Sequence, residues 1–333
     1  MKKIVLTLAT LVSLQSCTSE QMTDNKEQAQ FINSNISQKN VELYSGSRWM
    51  EKLNNNTEIG KLSIPGTHDS MSIKNYAFSS NQYGTIEEQL GAGARIFDLR
   101  FNFENGQFMG YHGIVRLNLT LEQVMATFEK FLKNNPNEFI VAIFKKENNN
   151  QEKESWVKYY NEKMHNYAQL GLVMEQWNSN NKLVDCRGKV LPMSRETYTN
   201  STFVQGWSGN PNFSKTNLIG NGFYNTLNIS DYYHVSTILG ASINYKFEKI
   251  KENIDRANGN SSTHDAFLTY CSGASTFAYP VAVADRVNPK VAEYIQQSNL
   301  KSAGWIMMDF INSEKGNKLA NSCIQTSITN FSE

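Results

Sequence analysis

Charge imbalance is the first thing this chain lacks: 32 Lys and Arg face 31 Asp and Glu across 333 residues, a formal charge of +1. So small an excess argues against nucleic acid as a partner, and against a purely electrostatic hold on anionic membranes. Cysteine is scarce as well. Cys186, Cys271 and Cys323 are the thiols outside the first segment. Three thiols close at most one bridge, so no disulfide framework holds this fold, and their spacing fits no zinc site. The apolar run Ile4 to Leu14 is too short to span a bilayer as a stable helix. No internal repeat is evident. What is present is a globular composition, 40% hydrophobic and 11% aromatic.

The first residues read as a processing signal. Lys2 and Lys3 supply a positive start and Ile4 to Leu14 an apolar stretch. The stretch ends at Leu14-Gln15-Ser16-Cys17, which resembles the lipobox of bacterial lipoproteins, although Gln15 departs from the small or apolar residue usual there. That resemblance implies a signal peptide over residues 1–16 and lipidation of Cys17, hence a bacterial cell envelope location; an ordinary secretory signal with an incidental cysteine is the alternative. Residues 17–40 are polar and aperiodic, as in a tether, and 41–333 form one domain. Its roughly 290 residues suffice for a single large core.

Within that domain, apolar strand patterns alternate with amphipathic helix patterns. Strands are expected at Lys61 to Ile64, Arg95 to Phe103 with a hairpin through Asn105-Gly106 to Met109, Glu138 to Lys145, Lys189 to Met193, Asn225 to Ile229, Ala266 to Tyr270 and Trp305 to Ile311. Helices are expected at Thr85 to Gly91, with Thr85 and Glu88 in capping-box positions, at Thr120 to Lys133 and at Glu152 to His165. This alternation predicts an α/β fold on a parallel sheet, and the length favours a closed barrel. Asparagine clusters at Asn54 to Asn56, Asn148 to Asn150 and Asn178 to Asn181 mark surface loops.

Alternate strand residues share a face. Ile96, Asp98 and Arg100 therefore look one way; so do Val141, Ile143 and Lys145, and again Trp305, Met307 and Asp309. Each set ends in a charge, and a barrel gathers strand C-terminal ends at its mouth. Two histidines flank the Arg100 strand: His68, within Leu62-Ser63-Ile64-Pro65-Gly66-Thr67-His68-Asp69-Ser70, and His112, within Met109-Gly110-Tyr111-His112-Gly113. A base, an acid and a permanent cation are the minimum set for moving a phosphoryl group without a metal.

These segments, with Phe144-Lys145-Lys146-Glu147, Arg187-Gly188-Lys189-Val190 and Gly304-Trp305-Ile306-Met307-Met308-Asp309, resemble the bacterial phosphatidylinositol-specific phospholipase C family from about Leu62 to Ile311. The resemblance implies a distorted, incomplete TIM barrel as a single catalytic domain. It also implies cleavage of phosphatidylinositol to diacylglycerol and 1D-myo-inositol 1,2-cyclic phosphate, with slower opening of the ring by water. By it, His68 is the general base oriented by Asp309, and His112 the general acid supported by Asp69. Arg100 holds the phosphate with Asp98 beside it, and Lys145, Arg195, Asp231 and Tyr233 read the inositol. Calcium-dependent relatives put an acidic cluster and a metal where Arg100 stands, and Asp98 has no acidic partner in its strand, so no metal or other cofactor is expected.

The expected partner is a membrane containing phosphatidylinositol, with glycosylated phosphatidylinositol anchors as a further substrate; no nucleic acid is expected, and the protein is expected to be a monomer. Phe78 and Phe277, near Tyr76, Tyr83 and Tyr279, are candidates for the lipid interface, with plain loop packing as the alternative. His165 and His264 carry no comparable motif, whereas His234 adjoins the Asp231 segment and stays open. Two other readings stay open: a phosphodiesterase for another phospholipid or a glycerophosphodiester, and a surface lipid-binding barrel without turnover.

Overall fold

The computed structural model describes residues 44–73, 80–147, 153–197, 199–207, 214–220, 223–261 and 265–332, all within one compact unit, Leu43–Glu333. The signal, the tether, Cys17, Tyr76, Phe78, Asn148 to Asn150 and His264 lie outside the described residues.

Among the described residues eleven strands form one sheet: β1 Ile64–Thr67, β2 Ile96–Glu104, β3 Gln107–His112, β4 Val115–Thr120, β5 Ile140–Lys146, β6 Val190–Ser194, β7 Phe203–Gln205, β8 Ser214–Gly220, β9 Phe223–Ser230, β10 Asp265–Tyr270 and β11 Trp305–Met308. Nine of them close a ring in the order β1-β11-β10-β9-β8-β7-β6-β5-β2, completed by a short parallel contact between β1 and β2. The helices are α1 Ile86–Gly91, α2 Leu121–Asn134, α3 Lys153–Gln169, the single turn α4 Leu183–Cys186, α5 Gly240–Asn258, α6 Pro280–Gln297 and α7 Glu314–Phe331.

The fold is therefore the expected α/β barrel, distorted in two places. The β2–β3–β4 hairpins extend antiparallel beyond the ring, and β7, β8 and β9 meander antiparallel where further βα units would stand. Among the described residues no helix lies between β6 and β9. Local chemistry sets the helix starts: Thr85 with Glu88, and Thr120 with Gln123, each close a reciprocal capping box.

The strand faces separate two cores. Ile96, Val141, Ile143, Leu191, Leu268, Trp305 and Met307 fill the barrel interior. Phe97, Leu99, Phe101, Phe144 and Ile306 look outward onto Val124, Phe128, Val287 and Leu319 of the helices. A period of two on the strands thus meets a period near 3.6 on the helices, as the patterning predicts. At the N-terminal end of the ring, the buried Arg95 pairs with Glu138 at 2.8 Å and donates to the carbonyls of Gly46, Ser47, Leu90 and Ala94. That charge is satisfied internally and closes the floor.

Two strand limits differ from expectation. The first strand begins at Ile64 rather than Lys61, because Ile59–Lys61 is a 3-10 turn. The last ends at Met308 rather than Ile311, because Phe310 turns into the left-handed region at φ 55°. Cys186, Cys271 and Cys323 are free and buried, and burial pushes the Cys271 thiol up to about 12, leaving it inert near neutrality.

Candidate active site

Four strand ends deliver the charged groups to one place. His68 and Asp69 follow β1, Asp98 and Arg100 lie on β2, Lys145 on β5, and Asp309 directly after β11. Gln82 stitches two of these ends together. Its Nε2 donates to the carbonyls of His68 and Met308 at 2.9 and 3.0 Å, and its Oε1 accepts from the Ile311 amide. Asp69 adopts φ 45°, uncommon for a residue with a Cβ. Its amide donates to Asp98 Oδ2 at 3.2 Å, which holds the turn and aims the Asp69 carboxylate inward.

The hydrogen bonds define the state of His68. Asp309 Oδ1 lies 2.8 Å from Nδ1, and Arg100 Nη2 lies 2.8 Å from Nε2. A guanidinium only donates, so Nε2 is the accepting, unprotonated nitrogen and Nδ1 carries the proton toward Asp309. This is the tautomer of a base ready to act through Nε2. Burial alone would lower the imidazole pKa; the charge and hydrogen bond of Asp309 outweigh it and raise the pKa above the usual value. Asn81 Nδ2 donates to the same Asp309 oxygen at 3.1 Å, and Asn288 holds the Asp309 carbonyl at 3.0 Å.

Arg100 is the hub. Nη1 lies 3.0 Å from Asp69 Oδ2 and Nη2 lies 2.8 Å from Asp98 Oδ2. His112 Nε2 lies 3.3 Å from the same Asp69 oxygen, and Ser72 Oγ is 3.3 Å from its Nδ1. An unbroken series, Asp309–His68–Arg100–Asp69–His112, therefore runs across the mouth. Burial would raise the Asp98 carboxyl, but the charges of Arg100 and His68 hold it well below the usual range. Asp69 moves up instead, since burial outweighs Arg100 and His112, with ionised Asp98 adding to the rise. Two carboxylates sharing one guanidinium titrate apart.

Lys145 sits beside Arg100 in register across β5 and β2. Burial, then the charge of Arg100, lowers its pKa, while Glu147 at 2.6 Å counters them. Lys146, next to it on the strand, is buried on the other face. Farther round the ring, the Arg195 guanidinium stacks 3.9 Å over Trp207, whose Nε1–H donates to Asp231 Oδ2 at 3.2 Å. Tyr233 stands half exposed on the loop after β9. Phe277 is 76% exposed in the loop after β10, and Ile114, two residues beyond His112, is 97% exposed.

Asn81, Gln82, Ser72, Glu147, Trp207 and Tyr270 were not expected in the site. Only Glu147 carried a signal, as the next alternate residue after Lys145 on an inward face.

Residues 56–195 match the family described as phosphatidylinositol-specific phospholipase C, X domain. The 1-phosphatidylinositol phosphodiesterase of Listeria monocytogenes is 27% identical over 276 residues, covering 79% of this chain and 80% of the relative. That of Staphylococcus aureus is also 27% identical, over 286 residues, covering 80% and 88%. The solved phosphatidylinositol-specific phospholipase C of Staphylococcus aureus superposes with a TM-score of 0.73 at 24% identity, covering 84% of this chain and 98% of that one. The barrel has the same fold as solved bacterial phosphatidylinositol-specific phospholipases C, the likeness extending over 84% of this chain.

Proposed function

We propose that the protein is a metal-independent phosphatidylinositol phospholipase C, releasing diacylglycerol and cyclic inositol phosphate at a membrane surface. One observation carries this reading: a single guanidinium links two histidines, each backed by its own buried carboxylate.

His68 Nε2 takes the proton of the inositol hydroxyl beside the phosphate, and that oxygen attacks phosphorus within the same molecule. To reach Nε2 the hydroxyl displaces Arg100 Nη2, which turns to the non-bridging phosphate oxygen. The guanidinium thus exchanges a neutral acceptor for an anion whose charge grows toward the transition state, the kind of differential contact that speeds a reaction. Asp309 stabilises the imidazolium that forms. His112, with Asp69 at its Nε2, protonates the departing glycerol oxygen. Reversal of the two roles with water opens the cyclic product.

The engagement of both Asp69 and Asp98 by the Arg100 guanidinium supports the metal-independent reading. Lys145, Arg195, Asp231 and Tyr233 face the inositol ring in this reading, and glycosylated anchors share the reacting bond. Phe277 and Ile114 meet the lipid, and a lipidated Cys17 would keep the barrel at the envelope.

Release of diacylglycerol from phosphatidylinositol vesicles in excess chelator tests the proposal. Undiminished turnover is expected, with none on phosphatidylcholine. Loss of turnover in chelator and its restoration by calcium would favour the metal-dependent phosphodiesterase, and no turnover under any condition the binding barrel.

A further inference from the structure

Lys246, on α5, is fully buried yet has no carboxylate in ion-pair contact among the described residues. Its Nζ donates instead to two main-chain carbonyls, Tyr270 at 2.6 Å and Tyr232 at 2.7 Å. A lysine is almost never buried so completely without a charged partner, and keeping it there calls for a compensating use.

The two carbonyls stand at separate parts of the mouth. Tyr232 lies between Asp231 and Tyr233 on the loop after β9, the pair assigned to the headgroup. Tyr270 ends β10, and its ring meets the His68 imidazole edge-on at 5.8 Å and the Trp207 indole at 5.9 Å. One ammonium therefore ties the headgroup loop to the strand end that walls the catalytic base. The charged and titratable groups facing it come from three elements: Asp231 after β9, Cys271 after β10 and Asp309 after β11. Burial lowers the ammonium to about 8, while these groups resist the fall.

We propose that Lys246 is a positioning residue for the headgroup: its charge-assisted hydrogen bonds fix Asp231 and Tyr233 relative to His68 without touching substrate. This rests on the phosphatidylinositol reading above. Removing the ammonium leaves the chemistry of His68, Arg100 and His112 in place but loosens the loop, so the loss falls on KM rather than kcat. Deprotonation does the same in smaller measure, since a neutral amine donates more weakly than an ammonium.

The experiment compares wild type with Lys246→Met, which keeps length and volume, on phosphatidylinositol in mixed micelles, with free myo-inositol as a competitor. For the variant, KM and the inhibition constant of inositol should each rise roughly five- to tenfold with kcat within about twofold. The wild-type KM should rise severalfold from about pH 7 to pH 9, and that of the variant should stay flat. A variant in which kcat falls with KM unchanged, or keeps the wild-type slope of KM with pH, overturns the proposal. Should the variant fail to fold, a flat wild-type KM across the same range overturns it alone. A wild type that releases no diacylglycerol at all removes the parent reading and this inference with it.

Discussion

Asp309→Asn isolates the electrostatic half of the proposed catalytic base. The carboxylate is 1% exposed and touches His68 Nδ1 at 2.8 Å. An amide has nearly the same shape, and its oxygen can still accept from Nδ1–H and from Asn81, so the substitution removes charge more than contact. A charge-assisted hydrogen bond is worth about 1.5–3 kcal/mol, against about 1 for a neutral one. If the difference, about 0.5–2 kcal/mol, is spent on the imidazolium in the transition state, kcat falls by about 2- to 30-fold. Burial makes the loss insensitive to salt. The pH profile carries a second, independent signature. The base must be unprotonated, so activity falls as pH drops through the His68 pKa. Burial lowers that pKa, and the charge and hydrogen bond of Asp309 raise it above the usual value. Without the charge, burial and Arg100 dominate, and the acidic limb of kcat/KM moves to lower pH. The variant should therefore lose least at acid pH. A pH series of kcat/KM on phosphatidylinositol reads both effects. An unmoved acidic limb would show that His68 is not the base, or that Asp309 does not tune it.

Other perturbations separate other roles. His112→Ala should reduce turnover of phosphatidylinositol by about 10²- to 10⁴-fold, but cost far less on an inositol nitrophenyl phosphate, whose leaving group needs no proton; equal losses on both would remove His112 as the acid. Gly66→Ala places a Cβ 2.5 Å from Met307 Sδ and 2.7 Å from Ile96 Cβ, between three paired strands. That overpacking should lower Tm by roughly 3–8 °C in a thermal scan, and an unchanged Tm would contradict the strand packing described. Phe277→Ser and Ile114→Ser change exposed side chains, so each should leave Tm and soluble-substrate turnover intact while weakening vesicle binding by about tenfold. Unchanged sedimentation with vesicles would argue that these loops do not meet lipid.

Where a residue's neighbours in sequence determine its role, the chain was readable. The inward faces of β2, β5 and β11 follow from alternation alone, which is why Asp98, Arg100, Lys145 and Asp309 converge as expected. The capping box at Thr85 likewise needs only four residues. Other features depend on distant partners. The β8 segment, Ser214–Gly220, opens with Ser-Lys-Thr-Asn and shows no apolar alternation; it is a strand because β7 and β9 flank it. The β4 strand did show alternation, at Val115, Leu117 and Leu119, but it runs directly into the longer helix that begins at Leu121. Asn81, Gln82 and Lys246 are the extreme case. Their local sequences are unremarkable, and their roles come from backbone carbonyls and a carboxylate contributed by β1, β9, β10 and β11 or the loops beyond them. Stabilising a mouth is a long-range task, and no local pattern encodes it.

The central claim is that one guanidinium and two imidazoles pass a phosphodiester from its lipid oxygen to a hydroxyl of its own headgroup. Phosphorus NMR of the first water-soluble product, taken early in the reaction with chelator present, tests this most directly. A five-membered cyclic inositol phosphate appearing before any open monoester is the predicted result; an open inositol monophosphate as the first product, with no cyclic precursor, would contradict it.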